Sequence, residues 1–260
     1  MRRYQGLKTA IWILSVLVII EGIFLIHLWI KRPKVHKAPP VIRGKIAIVI
    51  DDWGYNLNNL DILSQIKYPL TASVLPNLNY SKAVAEELHK RGFQIILHLP
   101  MEPYEKYRLE QNTIMTSMDE PSIIKIISQD LDNVRHVVGV SNHMGSKATE
   151  DLKTMGIIFK ELKRRRLYFL DSLVSGESVC FDLANKMHLK FCKRDVFLDN
   201  EEKAEYIKGQ IDKLKTRSRI YGQAIGIGHD RKVTLEVLKE LMPSIEKEGY
   251  KFVFLSELAR

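Results

Sequence analysis

At 260 residues the chain has room for one apolar segment and one domain of about 220 residues, so no second folded domain is needed. With 45% apolar and 27% charged residues, the composition excludes the disordered and fibrous classes. The net charge of +9 suggests a nucleic-acid footprint until it is divided: residues 1–40 carry seven Lys/Arg and one Glu, which leaves +3 on the rest, and nucleic acid is set aside.

The first element runs from Thr9 to Ile30, 22 residues in which only Glu21 and His27 are strongly polar. As a helix it would extend roughly 33 Å, enough to span a bilayer. It ends in Trp29 and a basic run rather than at small residues of a cleavage site, which predicts an uncleaved signal anchor. A buried core helix is disfavoured because the segment is apolar all round and precedes Pro33, Pro39 and Pro40. The expected organisation is a cytoplasmic amino terminus over 1–8, a transmembrane anchor over 9–30, a basic proline-containing linker over 31–43 and a domain over 44–260. Arg2, Arg3 and Lys8 precede the segment while Lys31, Arg32, Lys34 and Lys37 follow it, so the positive-inside rule does not orient it.

Beyond the linker, apolar β-rich runs alternate with helical patterns. Strands are predicted at KIAIVI (45–50), LTASVL (70–75), QIILHL (94–99), VVGVSN (137–142), LYFLD (167–171), LKFCKR (189–194), GQAIGIG (222–228) and KFVFL (251–255). Helices are predicted over 57–66, 80–91, 121–133, 150–165, 201–217 and 232–248. Such β–α repetition fits either a (β/α) barrel or a doubly wound sheet. The barrel is favoured because polar residues recur just past the strands, at Asp51, Asp52, His98, Asn142, His143, Asp171, Asp199 and His229. Barrels gather such residues on one face, whereas an open sheet spreads them along a line.

Asp51 and Asp52 end a buried apolar strand, where unpaired carboxylates are costly. A helix cap would account for one of them but not both. A metal, or a division into ligand and base, accounts for the pair. His98 and His143 end two further strands. Each alone is better explained by a structural hydrogen bond, but with Asp52 they compose an Asp-His-His set that suits Zn²⁺, and three protein ligands leave a position open for catalysis. Other divalent first-row ions also fit. His229, closing GQAIGIGH, suits a general acid. Lys163, Arg164, Arg165 and Arg166 read as a solvated helix end. Cys180 and Cys192 are too few for a disulfide scaffold and lack metal spacing. No glycine-rich phosphate loop follows a strand, which ranks phosphoester cleavage last.

The stretches IAIVIDDWGYN, LTASVLPN, ILHLPMEP, SNHMGS, FLDS, RDVFLDN and IGIGH, in that order from Gly44 to Leu258, resemble the divergent polysaccharide deacetylases, relatives of the NodB-type carbohydrate esterases. The resemblance implies a deformed (β/α) barrel, here preceded by the one transmembrane helix read from the apolar segment. It also implies metal-dependent removal of acetyl groups from an N- or O-acetylated glycan by a domain outside the cytoplasm. On that analogy Asp51 is the general base and Asp52 a metal ligand. The wider superfamily places two ligand histidines four residues apart, but here that spacing gives His98 and Glu102. His143 is expected to replace the missing ligand, with Glu102 as competitor or as a partner that orients a ligand histidine. Asn142, Asp171, Arg194 and Asp199 are expected to line the pocket, with Asp171 and Asp199 available to steady Arg194. The rival expectation is a catalytically silent, membrane-anchored envelope protein that binds glycan or a protein partner.

Overall fold

The computed structural model describes residues 2–31 and 42–260, and the chain divides into two units, 1–40 and 41–260. In the first, helix α1 (Arg2–Ile30) contains the 26-residue stretch Tyr4–Trp29, which is long and apolar enough to cross a membrane. Most of the expected linker, including Arg32, Pro33, Lys34, Lys37, Pro39 and Pro40, lies outside the described residues.

The second unit is built on parallel strands: β1 (Gly44–Trp53), β2 (Thr71–Val74), β3 (Gln94–Met101), β4 (Val137–Met144), β5 (Tyr168–Asp171), β6 (Phe191–Lys193), β7 (Val196–Phe197) and β8 (Gln223–His229). Their spatial order is β6-β5-β4-β3-β2-β1-β8-β7, so the sheet curls round on itself in chain order. The circle is completed covalently rather than by a ladder. β6 pairs with β5 and β7 pairs with β8, and only Arg194 and Asp195 separate them. One bent segment thus changes partners halfway, which is the deformation of this barrel.

Helices α2 (Leu60–Ser64), α3 (Ser81–Lys90), α4 (Glu120–Asn133), α5 (Leu152–Arg165), α6 (Cys180–Met187), α7 (Ala204–Tyr221) and α8 (Lys232–Lys247) occupy the crossovers. No helix separates β6 from β7. The run expected as a last barrel strand is instead the short β9 (Tyr250–Phe252), which pairs with the first residues of β1, below the point where β2 takes over that edge. Asn59 does not extend α2 toward residue 57, because its side chain is drawn to Asp230, donating to Oδ1 at 2.8 Å.

Alternation sorts the strand side chains into two layers. On β1, Ile46, Ile48 and Ile50 pack outward under the helices, with Leu63, Leu88, Phe159 and Leu238 in the same cluster. Ala47 and Val49 face the barrel interior, where Ile96, Leu170, Ile225, Ile227 and Leu255 join them. Both layers are apolar, so the strands read as near-continuous hydrophobic runs. Burying an Ile or Phe here contributes about 1.5–3 kcal/mol each.

Candidate metal centre

The inward rows that fill the barrel also carry polar groups to its upper end. On β1 the row Ala47, Val49 continues to Asp51. On β3 Ile96 continues to His98, and on β8 Ile225 and Ile227 continue to His229. On β4 Val140 packs outward, so Ser141 and His143 face in. The shared rise along parallel strands brings these positions to one level; Asp51 and His229 are direct register partners across β1 and β8.

Strict alternation would turn Asp52 toward the helices. Instead, the register with β2 shifts between Ile50 and Trp53, and Asp52 adopts φ 65°. A bulge of this kind re-aims a side chain, and aspartate is among the non-glycine residues that tolerate the left-handed region. Its carboxylate therefore joins that of Asp51 on the same side.

Asp52 Oδ1 lies 3.1 Å from His143 Nδ1 and 3.3 Å from His98 Nε2, and the two nitrogens are 3.2 Å apart. The three atoms make a nearly equilateral triangle. Neighbouring ligands of a tetrahedral zinc with bonds of about 2.0–2.1 Å lie about 3.3 Å apart, so the spacing fits a single small ion. Asp51 Oδ1, Asp52 Oδ1 and His143 Nε2 are buried without a hydrogen-bond partner, three of the six such side-chain atoms among the described residues. Orphaned buried polar atoms are rare, and the two carboxylate oxygens suit a group bound beside them, whereas His143 Nε2 lies on the ring edge away from the triangle. Asp52, His98 and His143 are the residues that would hold a metal.

Electrostatics separate the two carboxylates. Burial pushes Asp51 above the ordinary carboxylate range, and neighbouring Asp52 adds to the rise against the pull of His98 and His229. Burial acts on Asp52 in the same sense, but the two imidazoles beside it win and hold it well below that range. Asp51 Oδ2 remains 3.8 Å from His98 Nε2, just outside the triangle.

His229 is oriented by Asp199. Its Nδ1 is 2.8 Å from Asp199 Oδ1, while Asp199 Oδ2 accepts from the His229 backbone N–H and from the Thr234 hydroxyl. Burial lowers the His229 pKa, yet the carboxylate outweighs it and the net shift is upward. The imidazole also stacks on Phe197, with ring centroids 5.9 Å apart, and the Arg194 guanidinium lies 3.8 Å above that same ring.

The remaining expected residues sit nearby but are occupied. Glu102 neither joins the triangle nor orients a histidine: one oxygen accepts from Thr116 N–H and hydroxyl, and the other pairs with Lys147 at 2.7 Å. Asn142 is buried and ties β4 to β5, accepting from Ser172 N–H and donating to the Met144 carbonyl. Asp171 accepts from Leu173 N–H and the Ser178 hydroxyl. Neither Asp171 nor Asp199 holds the Arg194 side chain, which donates instead to the carbonyls of Ser172 and Leu173. Sequence reasoning passed over Ser73, Ser141, Phe197 and Thr234. The serines carried a signal, since each is a small polar residue on the inward row of a buried strand, beside Thr71 on β2 and His143 on β4.

A family model described as divergent polysaccharide deacetylase matches residues 48–259. The chain is 36% identical over 203 residues to an uncharacterized protein of Escherichia coli K12, YibQ, covering 78% of this chain and 64% of that protein. It thus spans less than two thirds of that relative's length. Among solved structures, an uncharacterized protein from Agrobacterium tumefaciens C58 aligns with a TM-score of 0.80 at 21% identity, covering 88% of this chain and 92% of the other. A family 4 carbohydrate esterase from Streptomyces lividans, in complex with acetate, aligns at 0.52 with 13% identity, covering 84% and 96%. At these identities the structural likeness is one of fold.

Proposed function

The chain belongs to the divergent polysaccharide deacetylase family, and from that premise we propose that it is a metal-dependent hydrolase that removes acetyl groups from an N- or O-acetylated glycan. The observation that carries this reading is the triangle of Asp52 Oδ1, His98 Nε2 and His143 Nδ1 at the mouth of the barrel, with a second carboxylate and a second type of histidine beside it. A divalent ion held there, most suitably Zn²⁺ for one oxygen and two nitrogen donors, would supply Lewis acidity to the acyl oxygen and lower the pKa of water.

This chain's own residues divide the proton work. Asp51 is the carboxylate outside the triangle, and its raised pKa brings it toward the range in which a general base accepts a proton from the attacking water. His229 presents Nε2 while Asp199 holds Nδ1–H, the arrangement of a group that donates a proton to the departing amine or alcohol. Water adds to the acetyl carbonyl, the C–N or C–O bond breaks, the proton taken by Asp51 is balanced by the one given by His229, and acetate leaves. Phe197 fixes the plane of the His229 ring, and Arg194 fixes Phe197 in turn.

The first test is metal content. Full-length chain in detergent should bind about one divalent ion per molecule by mass spectrometry, with the ion lost in His143→Ala and kept in Glu102→Ala. Loss in Glu102→Ala alone would reverse the ligand assignment. A wild-type chain that takes up no ion would favour the reading of a silent, glycan- or protein-binding envelope component.

Helix α1 is proposed as an uncleaved anchor that places the barrel outside the cytoplasm, where acetylated glycans are found. Sealed inside-out membrane vesicles should then protect residues 42–260 from added protease. Digestion of the domain in those vesicles would put it on the cytoplasmic side.

A further inference from the structure

Two buried serines in the centre take no part in the reaction as described. Ser73 and Ser141 are fully buried on the inward rows of β2 and β4. His98 Nδ1 lies 2.8 Å from Ser141 Oγ, Ser141 Oγ lies 2.8 Å from Ser73 Oγ, and Ser73 hydrogen-bonds the Asp51 carboxylate. These four groups form one continuous chain from an imidazole to a carboxylate.

With Asp51 ionised and the His98 ring neutral, the donors can run in one direction. A serine hydroxyl has one proton to give and an ionised carboxylate has none. Ser73 therefore donates to Asp51, Ser141 donates to Ser73, and His98 Nδ1–H donates to Ser141. That order leaves the lone pair of His98 on Nε2, the atom 3.3 Å from Asp52 Oδ1 and 3.2 Å from His143 Nδ1. The geometry points to Ser141, itself held by Ser73, as the positioning residue that fixes the His98 tautomer and presents Nε2 as a metal ligand. This inference rests on the metal-dependent reading.

A hydroxyl is a meaningful choice of partner. His229 faces the Asp199 carboxylate, which favours the imidazolium and suits a proton donor. At Nδ1 His98 meets a neutral oxygen, which orients the ring without adding a further charge beside it. A carboxylate in place of Ser141 would bury a third negative charge beside Asp51 and Asp52, where like charges already oppose one another.

The test reads the tautomer directly. Full-length, ion-free chain in detergent, labelled with ¹⁵N only at histidine, should show one imidazole locked with the proton on Nδ1 at mildly alkaline pH, assigned to His98 by its loss in His98→Gln. In Ser141→Ala that signal should move to an averaged or Nε2–H form, and zinc affinity, measured by competition with a chelating dye, should fall about 10–100-fold. Ser73→Ala, which keeps the His98 partner but frees its hydroxyl, should shift both readouts in the same direction by less. Wild-type His98 protonated on Nε2, or unchanged tautomer and zinc affinity in both serine variants, would overturn the inference. Because the tautomer is read without metal, failure of the wild type to bind zinc would count separately, against the metal centre itself.

Discussion

Replacing Asp52 with alanine should reduce acetate release to background and leave the chain without bound metal. Asp52 is the only charged member of the triangle, and it reaches its place through a bulge and a left-handed backbone that no neighbour duplicates. Without it, two neutral imidazoles 3.2 Å apart remain, too few donors for a catalytic site of three protein ligands. The loss should exceed the roughly 10²–10⁴-fold carried by a single general acid or base, because the contribution of the ion disappears with its ligand. The fold should survive, since the Asp52 carboxylate meets the imidazoles of His98 and His143 at the strand ends rather than the apolar core. Turnover within tenfold of wild type, in a variant shown to be folded, would rule out this assignment.

Asp51→Asn should separate chemistry from metal binding. Asp51 stands just beyond the triangle, so the variant should hold its ion as wild type does while kcat falls about 10²–10⁴-fold. KM should change little, because the amide keeps the shape of the side chain and only the capacity to accept a proton is lost. Initial-rate measurements alongside metal content distinguish the cases. A drop in both, in parallel, would make Asp51 a ligand rather than a base.

The barrel was legible in the sequence because its strands are buried on both faces. Runs such as KIAIVI and QIILHL have no polar face to blur their boundaries, and each is followed by a group capable of chemistry. Other features were hidden by tertiary effects. The eight-residue α6 has apolar Cys180, Ala184 and Met187 at helical spacing but no side-chain cap to announce its start. The bend at Arg194–Asp195 is a change of pairing partner between β5 and β8, which no local pattern encodes. KFVFL reads as a barrel strand, yet the β1 edge it would share is already taken by β2 over its upper half.

The site divides along the same line. Asp51, His98, His143 and His229 follow from strand parity, and the structure draws them together around Asp52. Asp52 does not follow from parity, and the adjacent Asp51 and the family resemblance drew notice to it. The partnership of Asp199 with His229 joins strand ends that lie 30 residues apart in the chain, so no local pattern pointed to it. Glu102 sat at the spacing of a ligand, but Thr116 and Lys147 claim both of its oxygens.

Acetate release from acetylated oligosaccharides and peptidoglycan fragments by the full-length chain, before and after treatment with a chelator, bears on this account most directly. The expected result is release that the chelator abolishes and that added Zn²⁺ or another divalent ion restores. Release that persists unchanged after the metal is stripped, or no release from any acetylated glycan by a chain shown to hold its ion, would contradict it.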